Sequence, residues 1–273
     1  MPNNLEPDHW LADARRTQRF CVRRCGGQTR RAEMMPTSKS VILQPYFVEY
    51  AVFAPTDVVE DLTSHIFCGP QSIAGADCPN CERPLLRFLT LHTEDSRLGL
   101  SGMKAGSLHL LYCWQCNVAQ DNFRYAITAE GAVELIANGV GGVEPDFPYH
   151  DYPVFFPGGQ ANLVKMTDAT QAAIRSYNSS KSRYSDLRSN FPDASRCRHQ
   201  VGGEPFLIQR NPDYAHDMAD VLKCSQCGKF MPFLAAVSDD CLDERGFTGD
   251  ASVQVLYHFC KRCLEFVAFH QVG

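Results

Sequence analysis

No run of about 18 apolar residues occurs anywhere in the 273-residue chain. Nothing in it therefore reads as a membrane-spanning helix. The N-terminal stretch is rich in arginine but lacks the apolar core of a secretory leader, which points to a cytoplasmic, reducing setting. Signatures of several enzyme classes are also missing. There is no glycine loop closing on Lys-Ser/Thr to cradle phosphates, and Gly158-Gly159 and Gly202-Gly203 are turn glycines, not a dinucleotide fingerprint. The zinc-deaminase pattern, His-x-Glu ahead of Pro-Cys-x-x-Cys, is not met. Long helices are excluded from Gly139–Gly159, which holds five Gly and four Pro.

A basic excess is lacking too. The net charge is −5, and it is unevenly spread. Residues 1–34 hold seven Arg against four acids, whereas the rest holds 19 basic and 27 acidic side chains, a local −8. An acidic body disfavours binding along a phosphate backbone, which needs clustered Lys and Arg, and it suits a basic protein partner. The arginines (Arg15, Arg16, Arg19, Arg23, Arg24, Arg30 and Arg31) follow no apolar period. Residues 1–39 therefore read as a disordered extension.

Cysteine is plentiful, with 13 in the chain. Eight of them form four Cys-x-x-Cys pairs in two matched sets. Cys78/Cys81 and Cys113/Cys116 are separated by 31 residues, and Cys224/Cys227 and Cys260/Cys263 by 32. Such a turn brings two sulfurs to one metal, and a strand returning from a loop sets the second pair opposite, completing the tetrahedron that zinc prefers. Two structural Zn²⁺ ions are expected, each with a closed four-thiolate shell and no open position for chemistry. Disulfides would need an oxidising compartment. A thioredoxin-like role would need the motif to open a helix in a βαβ unit, and none is visible. Pairing across the two sets (Cys78 and Cys81 with Cys224 and Cys227) stays open, though the matched spacers favour one ion per set. Gly228, just after Cys227, suits the tight turn, while Glu82, Asn117 and Leu264 hold the equivalent places less well. The other cysteines (Cys21, Cys25, Cys68, Cys197 and Cys241) read as unremarkable thiols. Cys197-x-His199 suggests a metal or nucleophile pair but lacks a second half. His109 and His258 read as packed or solvent-facing residues, not ligands.

Runs rich in β-branched and aromatic residues predict strands at 41–53, broken or edged by Pro45, and at 84–91, 107–112 and 123–127. Further strands are expected at 229–237, 252–259 and 264–270, and a short one at Pro153–Pro157. Thr56–Ser64 reads as a turn of helix. Thr167–Tyr177 is the best helix, with Thr167 as N-cap and Ala173, Ile174 and Tyr177 on one face. Asn178–Asn190 reads as a linker. Aligning Cys113 with Cys260 superposes Tyr112 on Phe259, Leu110 on Tyr257 and Leu108 on Val255, so both halves read knuckle, strand, loop, strand, knuckle, strand. The expectation is a mainly β protein (α+β with few helices) built of two duplicated zinc-ribbon-like antiparallel sheet units packed as one body. Residues 40–140 form the first unit, 141–195 an irregular connector with one helix, and 196–273 the second.

Val201-Gly202-Gly203-Glu204-Pro205, followed by Gln209, a Cys-x-x-Cys, the Met231-Pro232-Phe233-Leu234 strand and a closing aromatic-Cys-x-x-Cys, resembles the YwqG and programmed-cell-death-protein-two-like superfamily. Residues 201–273 carry most of the similarity. Residues 67–127 resemble a weaker copy, in which Phe67-Cys68-Gly69-Pro70 only partly matches Gly-Gly-x-Pro. The resemblance implies a duplicated β-rich fold and, from eukaryotic members, a dedicated chaperone that captures a newly made ribosomal protein. Bacterial members are largely of unknown function.

The expected function is a non-catalytic, zinc-stabilised protein-binding module, chaperone-like toward a basic protein client. Two rivals remain. A hydrolase or transferase would use His150, Asp151 and Lys165 in the 140–165 segment, but no spacing links them. A nucleic-acid binder would use the arginine arm with Lys261 and Arg262.

Overall fold

The computed structural model describes residues 43–52, 65–79, 81–113, 123–137, 154–179, 199–210, 218–238 and 253–272. The Arg-rich arm, Thr56–Ser64, His150 and Asp151 lie outside them, as do Cys21, Cys25, Cys116, Cys197 and Cys241. All described residues fall within one compact unit, Ser40–Gly273.

The protein is mainly β. Eleven strands form one antiparallel sheet: β1 (Tyr46–Val52), β2 (His65–Phe67), β3 (Leu86–His92), β4 (Ser107–Tyr112), β5 (Phe123–Ile127), β6 (Val133–Ala137), β7 (Gly159–Lys165), β8 (Gln200–Val201), β9 (Phe233–Ser238), β10 (Val253–Cys260) and β11 (Glu265–Val272). The order across the sheet is β4-β3-β2-β7-β1-β8-β9-β10-β11-β5-β6. Among the described residues the one α-helix, α1 (Asp168–Asn178), starts where the capping residue demands: Thr167 accepts from the Thr170 N–H. Ile174, Tyr177 and half-buried Ala173 then pack with Phe47, Met166 and Phe206 against the sheet.

The two halves repeat the same ladders up to the second knuckle, after which they part: β11 pairs with β10, whereas β5 leaves β4 and pairs with β11. In the first, Leu89 faces Phe67 of β2; in the second, Ala235 faces Val201 of β8. The β3–β4 ladder slips at Phe88, and the β9–β10 ladder slips at the matching Leu234. A bulge placed identically in both halves is a built feature of the repeat. Both halves also turn out of their short strand through two left-handed residues, Cys68-Gly69 and Gly202-Gly203.

The repeats have exchanged their first strands. β1 precedes β2 in the chain yet pairs with β8, setting Tyr46 opposite Val201. β7 precedes β8 yet pairs with β2, setting Gly159 opposite Phe67. The β1–β7 ladder runs from Tyr46↔Lys165 to Val52↔Gly159 about the Glu49↔Asn162 pair. Rotation by half a turn about that pair carries each strand's register onto the other. The close approaches repeat as well. A Cβ on Gly203 would lie 2.6 Å from Pro45 Cβ and 2.4 Å from Gln171 Oε1, and one on Gly69 would lie 3.2 Å from the Gly158 Cα. Gly158 precedes β7 as Pro45 precedes β1.

The sheet curls until its ends meet. Tyr125 on β5 reaches the free edge of β4, donating to His109 O (2.7 Å) and accepting from the Leu111 N–H (3.0 Å). Alternation along β10 then sorts its residues into two cores. Val253, Val255, Tyr257 and Phe259 face the main interior. Leu256 and Cys260 face a second cluster with Leu207, Leu222, Met231, Val267 and Phe269.

The expected pattern holds no strand at β6 or at β7, which runs through the expected irregular connector, and three short elements differ from it as well. The segment expected as a strand at Pro153–Pro157 forms no strand among its described residues, and Val154 and Phe155 stand exposed. The strand begins at Gly159, past both prolines, where backbone N–H donors are restored. β2 and β8 are three and two residues long, too short to show a period.

Candidate metal centres

Each described knuckle is the same hydrogen-bonded turn. The N–H groups of Glu82, Gly228 and Leu264 donate to the carbonyls of Cys78 (2.8 Å), Cys224 (2.9 Å) and Cys260 (2.8 Å). The chain then leaves the first knuckle of each repeat identically. Cys78 N–H donates to Arg83 O and Cys224 N–H to Lys229 O, both at 2.8 Å, followed by Leu85 N–H to Ala76 O and Met231 N–H to Leu222 O. Closing the turn requires a left-handed residue after the second cysteine. Gly228 supplies it at φ 68°, and Glu82 and Leu264 are driven to the same region at φ 57° and 56°. A non-glycine residue there costs about 1–2 kcal/mol, so the rest of the turn must outweigh it.

The loops bring the sulfurs together within each repeat. Cys224, Cys227, Cys260 and Cys263 form one group, and Cys78, Cys81 and Cys113 another, with all ligand atoms of a group within 4.8 Å of one another. The fourth ligand expected in the first group, Cys116, lies outside the described residues. Cys227 and Cys260 sulfurs are 3.7 Å apart, as are those of Cys81 and Cys113. Zinc–sulfur bonds of about 2.3 Å in a tetrahedron give edges of about 3.8 Å, so the spacing fits zinc. None of the eight described cysteines is in a disulfide. Each group mixes buried and half-buried sulfurs, which leaves a path for the ion. As free thiols the ligands differ. The Lys229 N–H, pointing at Cys227, holds that thiol down at about 7, burial pushes Cys263 up to about 11, and burial also pushes Cys224 up. A low-pKa thiolate is the natural first ligand for an incoming cation.

Around the C-terminal group lies a polar shell that the Cys spacing does not announce. Glu265 opens β11, directly after the second knuckle, and its side chain is fully buried. It accepts from the Ser225 N–H (3.0 Å) and the Ser225 hydroxyl (2.8 Å), inside the first knuckle. Arg124 comes from β5, in the other repeat. Its guanidinium donates to Glu265 Oε1 (2.8 Å), Lys223 O (3.0 Å) and Val221 O. The sequence signal was a single charge inside each apolar strand, Phe-Arg-Tyr-Ala-Ile and Glu-Phe-Val-Ala-Phe. A buried charge in such a strand must have a partner.

The remaining candidates fall elsewhere. His109 Nδ1 lies 3.1 Å from Thr90 Oγ1, and His258 Nδ1 lies 3.0 Å from Met231 O, and neither belongs to a cysteine group. Buried Cys68 donates weakly to Phe88 O (3.7 Å). His199 accepts from the Ser238 N–H (3.1 Å). Lys165 is exposed at the end of β7, and Lys261 donates to Gly99 O (2.8 Å). His92-Thr93-Glu94 does read His-x-Glu, but His92 lies 3.1 Å from Ser107 Oγ and belongs to neither cysteine group. His65 and Arg97 both engage Asp95, at 2.9 and 2.6 Å. Among the described residues no helix is long and apolar enough to cross a membrane. Compared with protein-family models, curated proteins and solved structures, the chain finds no match in any of the three.

Proposed function

We propose that this chain is a non-catalytic protein-binding module, stapled by two structural zinc ions and working in a reducing, cytoplasmic setting. The observation that carries the reading is the all-sulfur C-terminal group, whose four thiols lie within 4.8 Å of one another, with the Cys227 and Cys260 sulfurs 3.7 Å apart. Four thiolates close a zinc shell and leave no position for substrate or activated water. The metal then serves as a frame, and function moves to the surface the frame holds in place.

The character of the partner follows from charge. Outside residues 1–34 the chain carries a local −8, from 19 basic and 27 acidic side chains. Each zinc with four thiolates adds a formal charge of about −2. A basic polypeptide is the client that such a field attracts and orients. The resemblance to the programmed-cell-death-protein-two-like superfamily points the same way, toward chaperone-like capture of a basic, newly made protein.

Two measurements test this. Plasma mass spectrometry of the purified chain should find two zinc ions per molecule. Cross-linking in native lysate should recover a basic protein that rebinds the purified chain, with affinity falling as salt rises from about 0.05 to 0.3 M, as the shrinking Debye length requires. Metal-free, fully folded protein would sink the zinc frame. A lysate that yields no protein partner, or one whose binding ignores salt, would sink the client.

A further inference from the structure

The two metal centres share a backbone but not an environment. In the C-terminal knuckle the residue after the first cysteine is Ser225, and it gives Glu265 both its N–H and its hydroxyl. At the same place in the N-terminal knuckle stands Pro79, which has no N–H and no hydroxyl to give. The place matching Glu265 in the N-terminal repeat is Val118, a residue type whose side chain carries no acceptor. The carboxylate latch is thus written into one repeat only.

The latch joins the two halves of a single site. Ser225 belongs to the knuckle of Cys224 and Cys227, while Glu265 follows the knuckle of Cys260 and Cys263. Arg124, arriving from the opposite repeat, secures the same knuckle from behind through the carbonyls of Val221 and Lys223. It also offsets the carboxylate charge. As a thiol, Cys224 donates to Glu265 Oε2 (3.1 Å). Were zinc bound, the Cys224 proton would leave to solvent and the carboxylate would face a thiolate. The Ser225 donors and the Arg124 guanidinium keep Glu265 satisfied and charge-paired at that point.

From this we infer that the Glu265–Ser225–Arg124 latch preorganises the C-terminal centre. It makes the two zinc sites unequal: the C-terminal ion is held more tightly and leaves last, and the N-terminal ion leaves first. The inference rests on the zinc reading above. Glu265, Ser225 and Arg124 are positioning residues that act on the metal through the cysteines. Outer-shell partners of this kind change metal affinity by roughly 10–100-fold.

The test uses the full chain loaded with zinc and a chromogenic chelator in excess, so that each ion is counted as it leaves. Release should be biphasic, one ion per phase. Cys81→Ser should abolish the fast phase and keep the slow one. Glu265→Gln and Ser225→Ala should each speed the slow phase, by roughly 10-fold or more for Glu265→Gln, and leave the fast phase unchanged. Ser225→Ala removes one hydroxyl and no core atoms, so it keeps the test open if Glu265→Gln does not fold. Arg124→Gln should accelerate the slow phase, and adding Glu265→Gln to it should recover part of the loss, because the uncompensated charge is gone. A purely structural brace would show no such recovery. Two ions leaving at one rate, a slow phase that Cys81→Ser abolishes, or a slow phase indifferent to Ser225→Ala and Glu265→Gln would each overturn the inference. A wild-type chain that carries no zinc would instead overturn the zinc reading itself.

Discussion

The first knuckles of the two repeats make the same turn from different residues. One is Cys78-Pro79-Asn80-Cys81-Glu82, and the other is Cys224-Ser225-Gln226-Cys227-Gly228. The flanking hydrogen bonds agree to within 0.1 Å in length. Only the second has the residue that the left-handed position favours, and only the second has a serine for a carboxylate to grip. The lesson is that the turn is imposed by its two cysteines and the strands on either side. Local preference sets the cost of the turn and not whether it forms.

The largest expected effect breaks one centre and spares the other. Cys227→Ser should lower zinc content from two ions to one and drop the melting temperature by more than about 10 °C. Structural zinc contributes on the order of 10 kcal/mol, comparable to the whole stability of a domain. Scanning calorimetry with metal analysis checks both. If Cys81→Ser costs distinctly less, the repeats differ in how far they depend on their metal.

Next in size is the exchange of first strands. Gly203→Ala forces a Cβ against Pro45 and against Gln171 Oε1, an oxygen already committed to the Glu204 N–H at 2.7 Å. It also strains a residue at φ 73°. The expected loss is roughly 2–4 kcal/mol by urea unfolding. Gly131→Ala, left-handed at φ 86° but facing open space, should cost only about 1 kcal/mol. Equal losses would mean that the contact between the repeats counts for little.

Acid should act through both halves. Burial holds His109, on β4, and His258 and His270, on β10 and β11, down at about 4. Below the ordinary histidine value of 6.5 the unfolded chain takes up protons that the folded chain refuses. Stability is therefore fully present above 6.5 and falls as the pH drops toward 4, by about 1.4 kcal/mol per unit of depression. Urea midpoints across that window, with zinc content followed in parallel, should show the slope. His270→Asn should reduce it, and an unchanged slope would remove His270 from the account.

The smallest effect is the most direct comparison of the knuckles. Glu82→Gly should stabilise by about 1 kcal/mol or less, since it relieves the left-handed strain at an exposed residue. Gly228→Ala should lose a similar amount. Leu264→Gly should gain nothing, because Leu264 packs against the main core and that contact goes with the strain. Thermal melts of the three variants give the order.

Much of this was legible in the chain itself. Two matched sets of Cys-x-x-Cys marked the cysteine groups that could hold metal, and the β-rich runs after Cys81 and Cys227 and before Cys113 and Cys260 became β3, β9, β4 and β10. Thr167 capped the helix as expected. These signals are local: a cysteine turn, a period of two, a cap. β2, β6, β7, β8 and the pairing of β5 with β11 were not legible: two or three residues carry no period, β7 starts in a Gly- and Pro-rich stretch, and an edge does not name its partner.

The sequence by itself determined that this is a duplicated β protein whose cysteines can gather around metal, because knuckle and strand are encoded within a few residues of each other. Only the tertiary structure decided that β1 and β7 change places and that Arg124 of one repeat closes around the cysteine group of the other. Those choices join residues about a hundred or more positions apart, such as Tyr46 with Lys165 and Arg124 with Glu265. They are settled by which edges and buried charges remain unsatisfied once the local pieces have formed.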